Sequence, residues 1–243
     1  MSSISVVMPA YNEEAIIERS VRNFYDEIVK KVGDSELIVV DDWSTDNTPV
    51  ILKNLQKELP KLVVIKTPCN SGHGKAVRLG FDTAKKEFIF HTDSDYQHDP
   101  KEFWKLYTYI ENYDIVVGVR KKRQDPFYRK VISRISRFVG SFLFGVELHD
   151  MNCPFRVYKR ETFNKLAKFV DTEMFAPSIM ILLVATYFGV EVKEVPVTHY
   201  PRETGKISIL GWGLVKACLR TFKDMLVLRK QLFSENRERK LDL

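Results

Sequence analysis

Cysteine is scarce in this sequence. The 243 residues include three cysteines, Cys69, Cys153 and Cys218, and no two of them stand at the short spacing of a metal-binding motif. An odd, scattered set of this kind argues against a disulfide framework and favours a reducing compartment. A charged leader is also missing, since the chain enters an apolar run at Ile4. We therefore expect no signal peptide.

Long hydrophobic runs are missing too. The longest stretch without a charged residue, Met174 to Val190, is shorter than the roughly 20 residues that a bilayer span requires. Pro177 and Ser178 interrupt it. We predict a buried helix there.

Acidic residues are outnumbered, and the excess of positive charge is local. The net charge is +6, and between Gly118 and Arg137 there are eight Lys or Arg residues and one acid, Asp125. Such a run suits nucleic acid, anionic lipid or a phosphorylated substrate. None of the familiar nucleic-acid-binding motifs occurs. We therefore expect no nucleic-acid partner.

What the sequence does contain is a regular alternation of strand and helix patterns. Five apolar runs read as strands: Ile4–Met8, Glu36–Val40, Leu62–Ile65, Phe88–His91 and Asp114–Val117. Helical patterns separate them, from about Glu14 to Lys30, Asp46 to Glu58, Gly74 to Ala84 and after Pro100. This order predicts an α/β fold, a doubly wound, mostly parallel sheet with helices on both faces.

Two carboxylates follow the fourth predicted strand. Asp93 and Asp95 stand one residue apart where the chain must turn, so both can converge on one ion. Carboxylate oxygens are hard ligands that suit Mg²⁺ or Mn²⁺, and such ions usually also hold substrate phosphates. Gln97 adds a neutral oxygen as a third candidate ligand, with a helix-entry role as its alternative. Asp99 and Pro100 read as the N-cap and first residue of a helix.

Polar or glycine-rich sequences follow the other predicted strands as well. Ligands of a parallel sheet bind beyond the carboxyl ends of its strands, so these segments should share one rim. The glycines of Gly72-His73-Gly74 allow close approach of the backbone, and the helix behind them offers N–H groups to an anion. The segments are Pro9-Ala10-Tyr11-Asn12-Glu13, Asp41 to Thr48, Asn70 to Ala76 and Gly118-Val119-Arg120.

These motifs, in this order, resemble those of inverting, metal-dependent family 2 glycosyltransferases, which have a nucleotide-sugar-binding fold of the GT-A type. The resemblance continues along the chain to about residue 230. The segment from Arg129 to Arg134 resembles the R-K-I-I-S-R sequence of dolichyl-phosphate mannose synthases. Three later segments resemble further motifs of those enzymes, and they are Asp150 to Tyr158, Glu194-Val195-Pro196 and Arg202 to Gly205.

The resemblance implies transfer of a hexose, with mannose favoured, from a nucleotide sugar of the GDP-mannose or UDP-glucose type to a polyprenyl phosphate. Asp93, Asp95 and Gln97 would hold Mg²⁺ or Mn²⁺. The implied nucleotide pocket contains Pro9, Tyr11, Glu13, Asp42, Lys75 and Asp93. For Asp42 a helix N-cap is the alternative, and for Lys75 a solvated surface lysine. Arg120, Arg129 and Arg202 are the predicted phosphate contacts, because the planar guanidinium matches phosphate oxygens.

The sequence departs from the family pattern in two places. Lys206-Ile207-Ser208 stands where the family has E-S-K, and Asn152-Cys153-Pro154 stands in a loop that usually reads x-G-S. A soluble or polysaccharide acceptor is therefore an alternative to the lipid phosphate. A sugar hydroxyl would need a general base, for which Asp150 and Glu173 are the candidates. A nucleotidyltransferase is a remote alternative, because the glycine-rich phosphate loop typical of that class does not follow the first strand.

Two helical patterns in the second half of the sequence combine apolar and basic residues. In the first, apolar residues recur from Val131 to Val146 beside Arg134 and Arg137. In the second, Ile207 to Leu228, an apolar stripe runs beside a basic one. Basic amphipathic helices lie at membrane surfaces or pack on a core. With a lipid acceptor, we predict peripheral contact with the cytoplasmic membrane face. The predicted domains are a catalytic domain over 1–206, whose donor half ends near 120, and a helix with a charged tail over 207–243.

Overall fold

A seven-stranded sheet forms the centre of the molecule in the computed structural model, which describes residues 2–121, 127–145, 148–202 and 212–235. The strand order is β3-β2-β1-β4-β6-β5-β7, and only β6 runs antiparallel to its neighbours. The strands are β1 (Ile4–Ala10), β2 (Ser35–Asp41), β3 (Leu62–Lys66), β4 (Phe88–His91), β5 (Ile115–Lys121), β6 (Arg156–Lys159) and β7 (Val192–Thr198).

Helices cover both faces of the sheet. They are α1 (Ile17–Phe24), α2 (Thr48–Glu58), α3 (His73–Thr83), α4 (Phe103–Tyr107), α5 (Phe127–Phe144), α6 (Arg160–Ala167), α7 (Pro177–Tyr187) and α8 (Trp212–Glu235). One buried cluster joins α1, α2 and α4 to the sheet, and the other joins α3, α6, α7 and parts of α5 and α8 to the opposite face. Because strand residues alternate between faces, both clusters include residues of β1. Val6 belongs to the cluster with α1, α2 and α4, and Val7 to the cluster on the opposite face. The predicted doubly wound fold class is confirmed.

The five predicted strands all form, and most run a few residues further than predicted. The first helix begins at Ile17, later than the predicted Glu14, and continues as a π-helical turn over Tyr25–Val29. Asp99 caps the 3₁₀ turn Pro100–Glu102 by accepting a hydrogen bond from the Lys101 N–H, as predicted. The predicted buried helix is α7, whose central residues are fully enclosed. Within the described ranges, no helix combines the length and apolarity that crossing a bilayer requires.

The two predicted amphipathic helices, α5 and α8, pack against each other. Met225, Leu228 and Leu232 of α8 are buried in the core, so the core-packing alternative holds for that part of the helix. The apolar stripe of α5 faces outward instead, with Phe138 72% and Phe142 81% exposed. Four predicted features lie outside the described residues. They are the start of the second helix at Ile207, the end of the first at Val146, the domain boundary at 206 and the tail from 236.

Candidate active site

The loops after β1 and β2 are joined by hydrogen bonds at the carboxyl edge of the sheet. The Asn12 N–H donates to Ser44 Oγ at 2.9 Å, and the Thr45 N–H donates to Asn12 Oδ1 at 2.8 Å. The Glu13 N–H donates to Thr48 Oγ1 at 2.9 Å, in the first turn of α2. These bonds fix Glu13 and the neighbouring Tyr11 at one end of the rim. Pro9 is buried within β1, and Tyr11 is 40% exposed.

Backbone strain is concentrated at the same rim. Within the described ranges, three non-glycine residues have positive φ: Asn12 at 52°, Trp43 at 63° and Tyr96 at 58°. They follow β1, β2 and β4 respectively. This region of backbone space is uncommon for residues with a Cβ, and such strain clusters where ligands bind. The strand-end loops are therefore held in one conformation by their surroundings.

Asp42 holds the glycine-rich loop in place. Its Oδ1 accepts hydrogen bonds from the Ser71 N–H at 2.8 Å, the Ser71 hydroxyl at 2.6 Å and the Thr67 hydroxyl at 3.1 Å. Its Oδ2 accepts one from the Gly72 N–H at 2.7 Å. Gly72 has a φ of 89°, which a side chain would disfavour, so glycine is required at this turn. Asp42 therefore braces the start of α3 and is not the N-cap of α2, where Asp46 accepts from the Thr48 N–H.

Glu13, Asp95 and Arg202 form a charged cluster over the rim. The Arg202 guanidinium pairs with Glu13 Oε1 and lies 3.8 Å from Asp95 Oδ2. Burial raises the pKa of Glu13, although Arg202 opposes that shift. Burial, together with the nearby charge of Asp93, raises the pKa of Asp95 to about 7. Glu13 and Asp95 are thus two buried carboxylates beside a third, Asp93, and this arrangement favours the binding of a cation.

Asp93 turns toward a pair of histidines. The His73 and His91 Nε2 atoms each lie 3.8 Å from Asp93 Oδ1. His91 is enclosed, and burial, with the charge of Arg156 as a smaller cause, holds its pKa well below the usual value. A neutral imidazole can serve as a metal ligand. The two predicted metal-binding acids therefore have different surroundings, histidines around Asp93 and charged groups around Asp95.

Of the other predicted site residues, Gln97, Lys75 and Arg120 each have a side-chain hydrogen bond or ion pair of their own. Gln97 donates from its side-chain amide to the Tyr200 carbonyl at 3.1 Å and binds the loop after β7. The Lys75 ammonium lies 2.7 Å from Glu173 on the surface. Arg120 forms a buried two-bond pair with Asp150, at 2.7 and 2.9 Å. The backbone of Arg129 lies in α5, and its side chain is outside the described residues.

Sequence reasoning missed His73, His91 and the bracing residues Thr67 and Ser71. His91 ends an apolar strand, and a polar residue at the end of a fully buried strand is the signal that could have found it. His73 stood inside a loop that we interpreted through its glycines alone. Arg156 was also missed, although it is buried and donates to the carbonyls of Met151, Cys153 and Ser178.

A doubly wound sheet with an acidic rim beyond its strand ends is the architecture of nucleotide-binding α/β proteins. The family model for glycosyl transferase family 2 matches residues 5–167. The chain therefore belongs to glycosyl transferase family 2, which confirms the family predicted from the strand-end motifs.

Named relatives agree with this assignment. Dodecaprenyl-phosphate galacturonate synthase from Rhizobium johnstonii is 31% identical over 234 residues, which cover 95% of this chain. The chain spans 66% of the length of that relative.

Solved structures share the fold. Glucosyl-3-phosphoglycerate synthase from Mycobacterium tuberculosis, solved with Mn²⁺, uridine diphosphate and glucosyl-3-phosphoglycerate, superposes with a TM-score of 0.70 at 20% identity. The superposition covers 94% of this chain and 80% of that one. The same enzyme with Mn²⁺, uridine-diphosphate-glucose and glycerol 3-phosphate gives 0.69 at 21% identity, with the same coverage. The predicted GT-A architecture is confirmed, and the predicted divalent cofactor agrees with the Mn²⁺ of these complexes.

Proposed function

We propose that this protein transfers a hexose, with inversion, from a nucleoside diphosphate sugar to a polyprenyl phosphate. The observation that carries the proposal is the cluster of Glu13, Asp93, Asp95 and Arg202 at the carboxyl edge of the sheet. Acids that demand a cation, beside an arginine, suit a diphosphate that brings a metal ion with it. The name of the relative from Rhizobium johnstonii supports the lipid-phosphate acceptor.

The residues present fit a divalent ion. Among the described residues, Asp93 Oδ1 and Glu13 Oε2 are buried without a hydrogen-bond partner, which is costly for carboxylate oxygens unless a cation or donor joins them. Asp93 and Asp95, with Gln97 as a further oxygen, would hold Mg²⁺ or Mn²⁺. When bound, the ion neutralises charge on the leaving nucleoside diphosphate.

The chain's own groups would position the donor. Asp42 fixes the Ser71–Gly72 turn, so the N–H groups at the start of α3 are already directed when a phosphate arrives. Tyr11 offers an exposed ring to the base, and Glu13 offers an oxygen to its N–H groups or to the ribose. Arg202 lies where charge grows as the donor bond breaks, and a guanidinium stabilises such charge more in the transition state than before it.

An acceptor phosphate dianion needs no strong base, because its oxygen is already a nucleophile. Asp150, one of the two general-base candidates for a hydroxyl acceptor, is engaged by two hydrogen bonds from the Arg120 guanidinium. Arg120 accordingly enters the proposal as a positioning residue for the loop that contains Asp150. The direct phosphate contact expected of Arg120 from the sequence stays a prediction.

The outward face of α5 and α8 suits a lipid surface. A groove of about 260 Å³ between the helices is lined mainly by apolar groups, including Ile135, Val139, Leu219 and Phe222. Phe138, Phe142 and Trp212 on the same two helices are more than two-thirds exposed. Exposed lysines and arginines flank them: Arg134, Arg137, Lys216 and Lys223. Apolar groups beside basic ones match an anionic membrane, so we propose peripheral binding on the cytoplasmic face, where polyprenyl phosphate is presented.

The same helices are connected to the rim. The Arg220 guanidinium donates to the Glu173 carbonyl at 2.8 Å, and Asp224 accepts from the Phe175 N–H at 2.8 Å. Glu173 in turn pairs with Lys75 at the start of α3. A lipid held at α8 would therefore lie one short loop away from the glycine-rich turn.

The donor sugar is open to a direct test. The family resemblance favours mannose, whereas the two named relatives are a galacturonate synthase and a glucosyl-3-phosphoglycerate synthase. We would incubate the protein with labelled GDP-mannose, UDP-glucose or UDP-galacturonate, polyprenyl phosphate and Mn²⁺, and measure label in the organic phase. We expect transfer from one donor, lost in Asp95→Asn and retained in Asp26→Asn, which removes an exposed carboxylate outside the cluster. Transfer to a soluble sugar but never to lipid phosphate would contradict the proposed acceptor.

A further inference from the structure

We propose that His73, His91 and Asp93 form a binding site for a transition-metal ion of the Zn²⁺ or Co²⁺ class, in addition to the hard-cation site at Asp95. One ligand atom from each of the three residues lies within 4.8 Å of the others. Two imidazoles and one carboxylate are the ligands that such ions prefer over Mg²⁺, which takes oxygen. The inference stands on these side chains and does not depend on the glycosyl transfer proposed above.

The spacing is close to what an ion would impose. A tetrahedral ion with bonds of about 2.0 to 2.1 Å keeps its ligand atoms roughly 3.3 Å apart. Both Nε2 atoms lie 3.8 Å from Asp93 Oδ1. Small side-chain rotations would bring the three atoms onto one ion without backbone movement. His73 follows directly after the turn fixed by Asp42, and His91 is the last residue of β4, so both rings are attached to rigid elements.

His91 supplies independent support for a ligand. It is 1% exposed, and neither of its ring nitrogens has a hydrogen-bond partner in the described part of the chain. Asp93 Oδ1 is likewise buried and unpartnered there. Buried polar atoms are nearly always satisfied, and an exception calls for an explanation such as a missing ion. The Nε2 atom of a neutral His91 and Asp93 Oδ1 can each present a lone pair, and at 3.8 Å apart both can reach one cation.

Packing alone is a weaker explanation for His91. Its ring meets the Phe81 ring edge-on, with centroids 5.3 Å apart, and phenylalanine or leucine would fill the same space without burying two nitrogens. The neighbouring strand places Arg156 opposite His91, but that guanidinium donates to the carbonyls of Met151, Cys153 and Ser178.

The site is open on one side. The His73 side chain is 60% exposed and that of Asp93 is 30% exposed, so an ion reaching them from the rim keeps one position free for water or a substrate oxygen. Three protein ligands with an open fourth position are typical of reactive metal sites. An ion bound here would share Asp93 with the hard-cation site.

The test uses the full chain with any affinity tag removed and all metal stripped, in the absence of nucleotide sugar and acceptor. Co²⁺ is added and its visible absorption recorded, and Zn²⁺ binding is measured by calorimetry. We expect one equivalent to bind, with the spectrum of mixed nitrogen and oxygen coordination, and we expect excess Mg²⁺ not to displace it. No binding of either ion at submillimolar concentration would overturn the proposal.

Two variants locate the ion. His73→Ala and His91→Phe should each lower the Co²⁺ affinity at least tenfold and change the spectrum. His73 is exposed, so its variant remains informative even if His91→Phe fails to fold. His149→Ala, which removes a surface histidine paired with Glu194, should bind as the parent does. Asp95→Asn should also retain Co²⁺. If Asp95→Asn abolished binding while both histidine variants bound normally, the ion would belong to the hard-cation site and the proposal would be wrong.

Because this readout involves no sugar transfer, the result is separate from that of the donor panel. Glycosyl transfer with no Co²⁺ site, or a Co²⁺ site without transfer to lipid, would each refute one proposal and leave the other standing.

Discussion

At the scale of single residues, the metal-binding role proposed for Asp95 conflicts with stability in the metal-free protein. Its pKa of about 7 lies above the ordinary value of 3.8, chiefly because of burial and then because of Asp93. Between these two values the folded protein retains a proton that the unfolded chain releases. Asp95 therefore lowers the free energy of unfolding progressively as pH rises from about 4 to 7. Above pH 7 the carboxylate is ionised in both states, and this loss of stability increases no further.

We accordingly expect Asp95→Asn to stabilise the metal-free protein at pH 8, by about 1 to 2 kcal/mol, because the amide stays neutral. At pH 4 the variant and parent should be nearly equal. Denaturant unfolding at both pH values measures the difference, with Asp82→Asn on the exposed surface as the control. A variant less stable than the parent at pH 8 would show that the Asp95–Arg202 interaction outweighs the repulsion from Asp93.

Arg202 is the second residue with a prediction of its own. Arg202→Ala should lower kcat by about 100-fold or more, since in the proposed reaction the guanidinium faces charge that develops as the donor bond breaks. Affinity for the free nucleoside diphosphate should change less than tenfold. Arg202→Lys should recover only part of the rate, because an ammonium keeps the charge but lacks the fork that reaches both Glu13 and Asp95.

Steady-state rates and calorimetry on the same three proteins give the comparison. Equal losses in nucleotide affinity and turnover would assign Arg202 to donor binding alone.

Much of the rim was predictable at this scale because each strand ends in a recognisable motif. Glu13, Asp42, Asp93 and Asp95 all reach the rim, as expected from their positions after β1, β2 and β4. The partners could not be predicted, since they come from distant parts of the chain. Nothing local indicates that Arg202 meets Glu13, or that Asp150 occupies Arg120. Whether each residue performs its assigned role stays a prediction.

At the scale of secondary-structure elements, α3 is placed by a close contact with the sheet. A Cβ added at Gly80 would collide with Cγ1 of Val7 on β1 and lie 3.2 Å from Cγ2 of Val40 on β2. Both valines are fully buried. This contact sets how near the helix approaches, and therefore where His73 and the glycine-rich turn stand.

Gly80→Ala should therefore destabilise the protein by about 1 to 3 kcal/mol and weaken donor binding, as overpacking pushes α3 outward. Gly33→Ala is the matched control, since its added Cβ would meet nothing within 4 Å. That substitution should be neutral or slightly stabilising. Thermal unfolding of both variants checks the contrast, and equal melting temperatures would mean that the sheet yields to the extra methyl group.

The strands were predictable as elements because apolar runs alternate with helical periods, but their order was not. Period and composition do not state which strands pair. The antiparallel insertion of β6 between β4 and β5 depends on contacts made across the sheet. Helix ends also differ from the predicted ones. α1 starts at Ile17 because the preceding residues bind the loop after β2; the Glu14 N–H, for example, donates to Asp46.

At the scale of the whole molecule, the positive charge and the outward apolar groups coincide on α5 and α8. Each basic residue near an anionic surface contributes about 1 kcal/mol. We expect Lys216→Gln with Lys223→Gln to weaken binding to anionic liposomes roughly thirtyfold at low salt. The decrease should shrink as salt rises. Arg220 is left intact because it supports the loop at Glu173.

Liposome flotation measures this binding, and Lys53→Gln with Lys57→Gln on α2 is the control of equal charge on the opposite face of the sheet.

Phe138→Ser with Phe142→Ser should remove the part of the binding that resists salt. If the phenylalanine variant floated like the parent but no longer self-associated in sedimentation, a second copy would be the occupant of this face.

The position of β6 also bears on how the chain assembles during synthesis. The strands from β1 to β4 find all their mutual neighbours within the first 91 residues, so half of the sheet can form while the rest is still being made. β5 comes next, yet both of its neighbours, β6 and β7, are synthesised after it. Until Arg156 to Lys159 have left the ribosome, β4 keeps an open edge and β5 has no strand to join. An unpaired strand edge in a nascent chain is prone to aggregate. We therefore expect slow codons between β5 and β6 to lower the yield of folded protein, because they lengthen the time during which these edges stay unpaired.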